Sequence, residues 1–178
     1  MKVVVLCGSP RANGNTEIMA NEFKRGAEEA GNEVALINLR GKKIAGCLAC
    51  EYCFSHDGEC VQKDDMAEIL KELDQADAVV FASPIYWFDI SAQLKTVIDR
   101  MYARAKKGFH FNKTALLLDS ASDGVYDAAI TQYKAMTGYL RWEDLGIITV
   151  PGMSSKGAMK DSPAMDEVYK LGLSLKAG

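Results

Sequence analysis

Lys2-Val3-Val4-Val5-Leu6-Cys7-Gly8-Ser9-Pro10-Arg11-Ala12-Asn13-Gly14-Asn15-Thr16 carries the pattern from which the architecture can be read. An unbroken apolar run opens it, as expected of a strand buried on both faces. A Gly/Asn-rich loop follows at Gly8 to Asn15. A helical stripe then runs from Thr16 to Ala30 through Met19, Phe23, Ala27 and Ala30, and stops at Gly31. Strand, loop and helix in that order make one βα unit, and the rest of the chain repeats it. Further strands are expected at Glu33 to Asn38, Ala78 to Ser83, Lys113 to Leu118 and Leu145 to Val150. Asp65 and Glu68 read as a capping box opening a helix with Met66, Ile69, Leu70 and Leu73 inward. A helix from about Ser91 puts Leu94, Val97, Ile98 and Met101 inward. Another runs through Ala129, Tyr133, Met136 and Leu140, and the last lies between Ser162 and Leu175. Five strands separated by helices predict a doubly wound α/β fold with right-handed crossovers. The expected sheet is parallel, five-stranded, of order 2-1-3-4-5, with helices on both faces and one domain over residues 1–178. Pro151 to Pro163, rich in Gly, Ser and Lys, reads as a mobile surface loop.

The 178 residues are 48% hydrophobic and 25% charged, with a formal net charge of -3. That weakly acidic balance argues against a nucleic-acid partner, which needs a basic face. The longest apolar runs are strand-length, so no membrane segment is expected. The first apolar stretch ends at Gly8-Ser9-Pro10 with no small-residue cleavage site, which speaks against a signal peptide. A cytoplasmic, reducing setting is expected, where cysteines serve metal binding, redox chemistry or packing before disulfides.

In an open α/β sheet, ligands sit at the carboxyl ends of the strands, so loops 8–16, 83–90 and 119–125 are the candidates. The first lacks both the Walker ending and the Gly-x-Gly-x-x-Gly fingerprint. Its hydroxyls, side-chain amides and backbone N–H groups at a helix N-terminus suit a phosphate, and Arg11 adds a charge-assisted donor. A plain helix cap is the competing reading. The second loop, Pro84-Ile85-Tyr86-Trp87-Phe88, sets three aromatic residues at a strand end. They suit a flat apolar ring, or alternatively the core or a subunit interface. The third, Ser120-Ala121-Ser122-Asp123-Gly124, allows close backbone approach, or is simply an Asp-Gly turn.

Cys47, Cys50, Cys53 and Cys60 form a C-x2-C-x2-C-x6-C run in the long connection 41–64. Such spacing can reach three corners of an iron–sulfur cube from one loop, and it suits structural zinc less well. The alternative is a set of free thiols, or a pair that oxidises. Cys7, closing the first strand, reads as a core thiol. His56 lies inside the cysteine loop and reads as an exposed loop histidine, with a ligand role as the alternative; His110 precedes a strand and carries no motif. Asp99 and Arg100 fall opposite the apolar stripe of their helix and read as a solvated or interface pair.

Gly8-Ser9-Pro10-Arg11 with Gly14-Asn15-Thr16 resembles the FMN-phosphate loop of the flavodoxin-like NADPH-dependent FMN reductase and iron-sulfur flavoprotein group. Ser83-Pro84-Ile85-Tyr86-Trp87 resembles that group's second flavin loop, and the likeness runs over residues 1 to about 120. The resemblance implies a flavodoxin-like fold and FMN held by Ser9, Arg11, Asn13, Gly14, Asn15, Thr16, Pro84, Ile85, Tyr86 and Trp87. The position of the third loop after the fourth strand would put Ser120, Ala121, Ser122 and Gly124 at the flavin edge. The resemblance also implies a [4Fe-4S] cluster on the four cysteines, with Asp64-Asp65-Met66 as a matching flank. No catalytic side chain is assigned, because the cofactor carries the electron step. The expected activity is transfer of electrons from NAD(P)H to a quinone, flavin or other small acceptor. The alternative is a non-enzymatic electron carrier served by a ferredoxin-like protein; a third reading is a cysteine-rich sensing module. The aromatic loop predicts a homodimer or homotetramer.

Overall fold

The computed structural model describes residues 1–176. The elements are β1 (Lys2–Cys7), α1 (Asn15–Glu29), β2 (Glu33–Asn38), α2 (Tyr52–Ser55), α3 (Met66–Asp74), β3 (Ala78–Tyr86), β4 (Asp89–Ile90), α4 (Ala92–Arg100), β5 (Lys113–Asp119), α5 (Asp127–Leu140), β6 (Glu143–Val150) and α6 (Ala164–Leu173). Five strands pair in parallel in the order β2-β1-β3-β5-β6, the expected 2-1-3-4-5 of a flavodoxin-like sheet. A sixth strand, not expected, comes from the tail of β3. Past Pro84 that strand runs on to Tyr86 and folds back, so that Ile85 pairs with Ile90 and Tyr86 with Asp89 in antiparallel register.

The central strands alternate between two cores, which is why their sequence reads as continuously apolar. Val3 and Val5 pack with Met19, Phe23 and Ala27 of α1 and Val168 of α6. Val4 and Leu6 face the other way, onto Met66, Ile69 and Leu73 of α3 and Leu94 and Val97 of α4. β6 starts two residues earlier than expected. A register shift between Thr114 and Leu116 lets Gly146, at φ 149°, absorb the extra residue as a bulge.

Two sequence readings are corrected. Asp65 and Glu68 form no capping box. Asp64 Oδ1 accepts from the Met66 N–H at 3.2 Å, Asp65 Oδ2 accepts from the Lys43 N–H at 2.6 Å, and Glu68 pairs with Lys42. Arg100 is not solvated. It is 2% exposed at the end of α4 and forks onto Asp64 at 2.7 and 3.0 Å, while Asp99 pairs with Lys95 on the outside. Helical periodicity places Arg100 off the α4 stripe, but the 41–64 connection folds over that side and buries it.

Candidate functional site

Gly8 brings the first loop against α4. A Cβ there would stand 2.6 Å from Ser91 Oγ and 2.8 Å from Leu94 Cβ, so the close approach requires glycine. The Ser91 hydroxyl then bridges the two elements, donating to Gly8 O at 2.8 Å and accepting from the Leu94 N–H as the α4 N-cap. The α1 N-terminus has no side-chain cap. Its first-turn N–H groups, which lack intrahelical acceptors, remain as donors for an anion.

Loops 8–16, 83–90 and 119–125 meet in one cavity of about 220 Å³ at the carboxyl ends of β1, β3 and β5. Of the residues the sequence singled out, Ser9, Arg11, Asn15, Thr16, Pro84, Ile85, Tyr86, Ser120 and Ala121 line it. Asn13, Gly14, Trp87, Ser122 and Gly124 stand outside the lining. Asn13 holds φ 51° with its N–H on Glu17 at 2.6 Å, and Gly14 precedes α1. The Ser122 carbonyl accepts from Ser120 Oγ, and the Gly124 N–H bonds Asp123 at 2.8 Å in an Asp-Gly turn.

Trp87 and Phe88 form the β3–β4 turn, both at positive φ (49° and 70°), with Trp87 93% exposed. Such turns favour Asn-Gly, and bulky aromatic residues there are strained. Strain of this kind persists where a structure over-determines it and often marks a binding site.

Asn15 lines the pocket, and its side chain is also bonded to the far loop. Its Nδ2 donates to Met153 O at 3.0 Å and Ser155 O at 2.9 Å, and its Oδ1 accepts from the Gly157 and Met159 N–H groups at 2.8 and 3.2 Å. The segment expected to be mobile is thus tied to α1, and it brings Met153 and Ser154 into the pocket wall. Sequence reasoning missed those two and Asp119. An acidic residue closing the apolar run 115–118 was the available signal for Asp119. Burial pushes the Asp119 carboxyl up to about 6, against the lowering effects of its bond from Thr16 and the charge of Arg11. The Cys7 thiol is fully buried, and burial raises it to about 11, so it is an inert core thiol as expected.

Cys47, Cys50, Cys53 and Cys60 line one small cavity with Arg100. Arg100 Nη2 donates to Cys60 Sγ at 3.4 Å, and its buried Nε has no partner. Among the described residues no three His, Cys, Asp or Glu side chains are gathered closely enough to hold one ion. The donor set and the orphaned buried N–H beside it fit a thiolate-ligated group, and the sulfurs would have to draw inward to bind it. A larger concavity, about 670 Å³, lies away from the strand ends. It is mostly apolar, walled by Tyr102, Phe109, Tyr139, Leu140 and Trp142.

The family model for NADPH-dependent FMN reductase matches residues 1–158. An iron-sulfur flavoprotein of Archaeoglobus fulgidus is 44% identical over 101 residues, 57% of this chain and 46% of that protein; the chain thus spans about half the length of that relative. A second iron-sulfur flavoprotein of that organism is 34% identical over 154 residues, covering 85% of this chain and 76% of its own length. The NAD(P)H:quinone oxidoreductase from Methanothermobacter marburgensis superposes with a TM-score of 0.76 at 20% identity, over 100% of this chain and 97% of the other, a likeness of fold. The strand-end pocket, the family match over most of the chain and the relative aligned along 85% of it agree: this chain belongs to the NADPH-dependent FMN reductase family.

Proposed function

We propose that the chain is an FMN-dependent oxidoreductase that takes electrons from NAD(P)H and passes them to a quinone, flavin or other small acceptor. The observation that carries this reading is the convergence of three strand-end loops on one pocket, with an uncapped helix N-terminus at the phosphate end. Ser9, Arg11, Thr16 and the first-turn N–H groups of α1, which follow Gly14 and begin at Asn15, bind the phosphate. Pro84, Ile85 and Tyr86 form the wall for the ring, with Trp87 at the strained tip beyond them. Ser120 and Ala121 approach its edge, on a loop shaped by Ser122 and Gly124. Asn13, in left-handed backbone, turns the chain into α1. Bound FMN would supply the hydride and electron chemistry. The protein's part is to hold it, orient it and keep one face open to the partners.

The cysteine cavity supports a second reading of the same chain, in which Cys47, Cys50, Cys53 and Cys60 hold a [4Fe-4S] cluster that exchanges single electrons with a ferredoxin-like protein. Exposed Trp87, Tyr139 and Leu140 favour a homodimer or homotetramer. One preparation tests both readings. Anaerobically purified and reconstituted protein should bind FMN far more tightly than riboflavin. Equal affinity for the two would remove the phosphate site. Iron near four per chain supports the cluster, and less than about one removes it. Steady-state oxidation of NADH or NADPH then separates an enzyme from a carrier.

A further inference from the structure

Asp119 ends β5 inside the loop pocket, paired in register with Pro84 of β3 and Val150 of β6. It is 5% exposed, and its Oδ1 lies 2.5 Å from Thr16 Oγ1. This is the wrong charge for its place. The neighbouring groups, Arg11, Ser9 and the first-turn N–H groups of α1, all suit an anion, and a buried carboxylate beside them repels one.

The Thr16 hydroxyl has one proton to give. An ionised Asp119 can only accept, so that proton points at Asp119 and Thr16 turns lone pairs toward the pocket. A protonated Asp119 reverses the bond: its O–H donates to Thr16 Oγ1, and the Thr16 proton becomes free for a phosphate oxygen. Resting on the FMN reading above, we propose that Asp119 is a proton-coupled gate on the phosphate subsite: phosphate binding takes one proton from solvent onto Asp119, which turns the Thr16 hydroxyl toward the ligand, and release returns it. Only O–H bonds are made and broken, and the solvent supplies and recovers the proton.

Other groups around Asp119 do not mimic this. From the first loop Arg11 faces it, a cation throughout. From β1 comes Cys7, held neutral by its burial, with Glu17 and Arg40 beyond it. Ahead of α5, Tyr126 is raised by burial, bonds Ser120 Oγ at 2.9 Å, and has Asp123 beside it. The β3 tail contributes the Tyr86 phenol, and the 151–155 segment only Met153 and Ser154.

The test uses full-length protein stripped of flavin. Isothermal titration with FMN, with riboflavin as control, is run from pH 5.5 to 8.5 in buffers of differing ionisation heat, on wild type and Asp119→Asn. The side-chain amide of the variant donates to Thr16 at every pH. Wild-type FMN affinity should fall, relative to the variant, by up to about tenfold per pH unit above about 6, with about one more proton taken up per FMN bound. Riboflavin should show neither effect. The same pH dependence and proton count in both proteins would overturn the proposal while leaving FMN binding intact. Should the variant fail to fold, the wild-type proton count decides, and no uptake beyond that of the FMN phosphate itself overturns the gate. Binding of FMN no tighter than riboflavin, by either protein at any pH, would instead overturn the phosphate site itself.

Discussion

Asn15 and Asp119 show how one side chain is assigned by its neighbours. Both line the strand-end pocket, yet the Asn15 side chain spends all four of its hydrogen bonds on residues 153–159, while Asp119 faces the pocket. Asp119 also ties stability to pH. Burial raises it from 3.8 to about 6 in the fold, so the folded state binds the proton more tightly than the unfolded chain. The stability linked to it is fully present below about pH 4 and is lost as pH rises through 6. That amounts to about 3 kcal/mol for the flavin-free protein. Urea unfolding at pH 4.5 and 7.5 should therefore show wild type losing stability relative to Asp119→Asn over this interval. A difference between the two proteins that stays constant with pH would refute the assignment.

At the scale of elements, α1 and α6 meet through two glycines that the helical pattern alone would call a liability. A Cβ at Gly172 would stand 2.2 Å from Phe23 O and 2.9 Å from Ala27 N, and one at Gly26 would stand 2.2 Å from Tyr169 O. Glycine inside a helix costs about 1 kcal/mol relative to alanine. Gly172→Ala would gain that amount in isolation. Here the backbones are in contact, and the helices must separate and lose packing around Val168 and Phe23. The expected outcome is a net destabilisation of about 1–3 kcal/mol in a denaturant titration. An increase in stability would mean that the helices part without loss.

Across the whole molecule, the strand-end pocket and the cysteine cavity are supported separately. The first rests on the strand ends. The second hangs on Arg100, whose guanidinium binds Asp64, the Ala45 carbonyl at 2.7 Å and Cys60. Asp64 is held below the usual carboxylate range: partial burial raises it, but the Arg100 fork and two backbone N–H groups outweigh that. Arg100→Met would leave Asp64 without its partner and the connection without its anchor. We expect a loss of about 2–4 kcal/mol, faster hydrogen exchange over 43–64, and FMN affinity changed less than about twofold, since the hydrogen bonds of Arg100 go to Ala45, Asp64 and Cys60 and not to loop 8–16. A matching loss of FMN affinity would show that the two sites are coupled.

The sequence by itself determined the sheet order, both helical layers and the three loops that meet in the pocket, because apolar periodicity and turn residues are local signals that fix elements, and parallel βα units admit few arrangements. It also pointed to the cysteine run and the family. What each polar side chain does follows from the folded arrangement alone. Asn15 became a tether, Arg100 an anchor under a folded-over connection, Trp87 a strained turn, and Asp119, unremarked in the sequence, part of the pocket wall. These roles depend on partners dozens of residues away in the chain, 138 and 140 for Asn15 and 103 for Asp119. Hydrogen bonding and burial are set by what the fold brings near, and no local pattern encodes that.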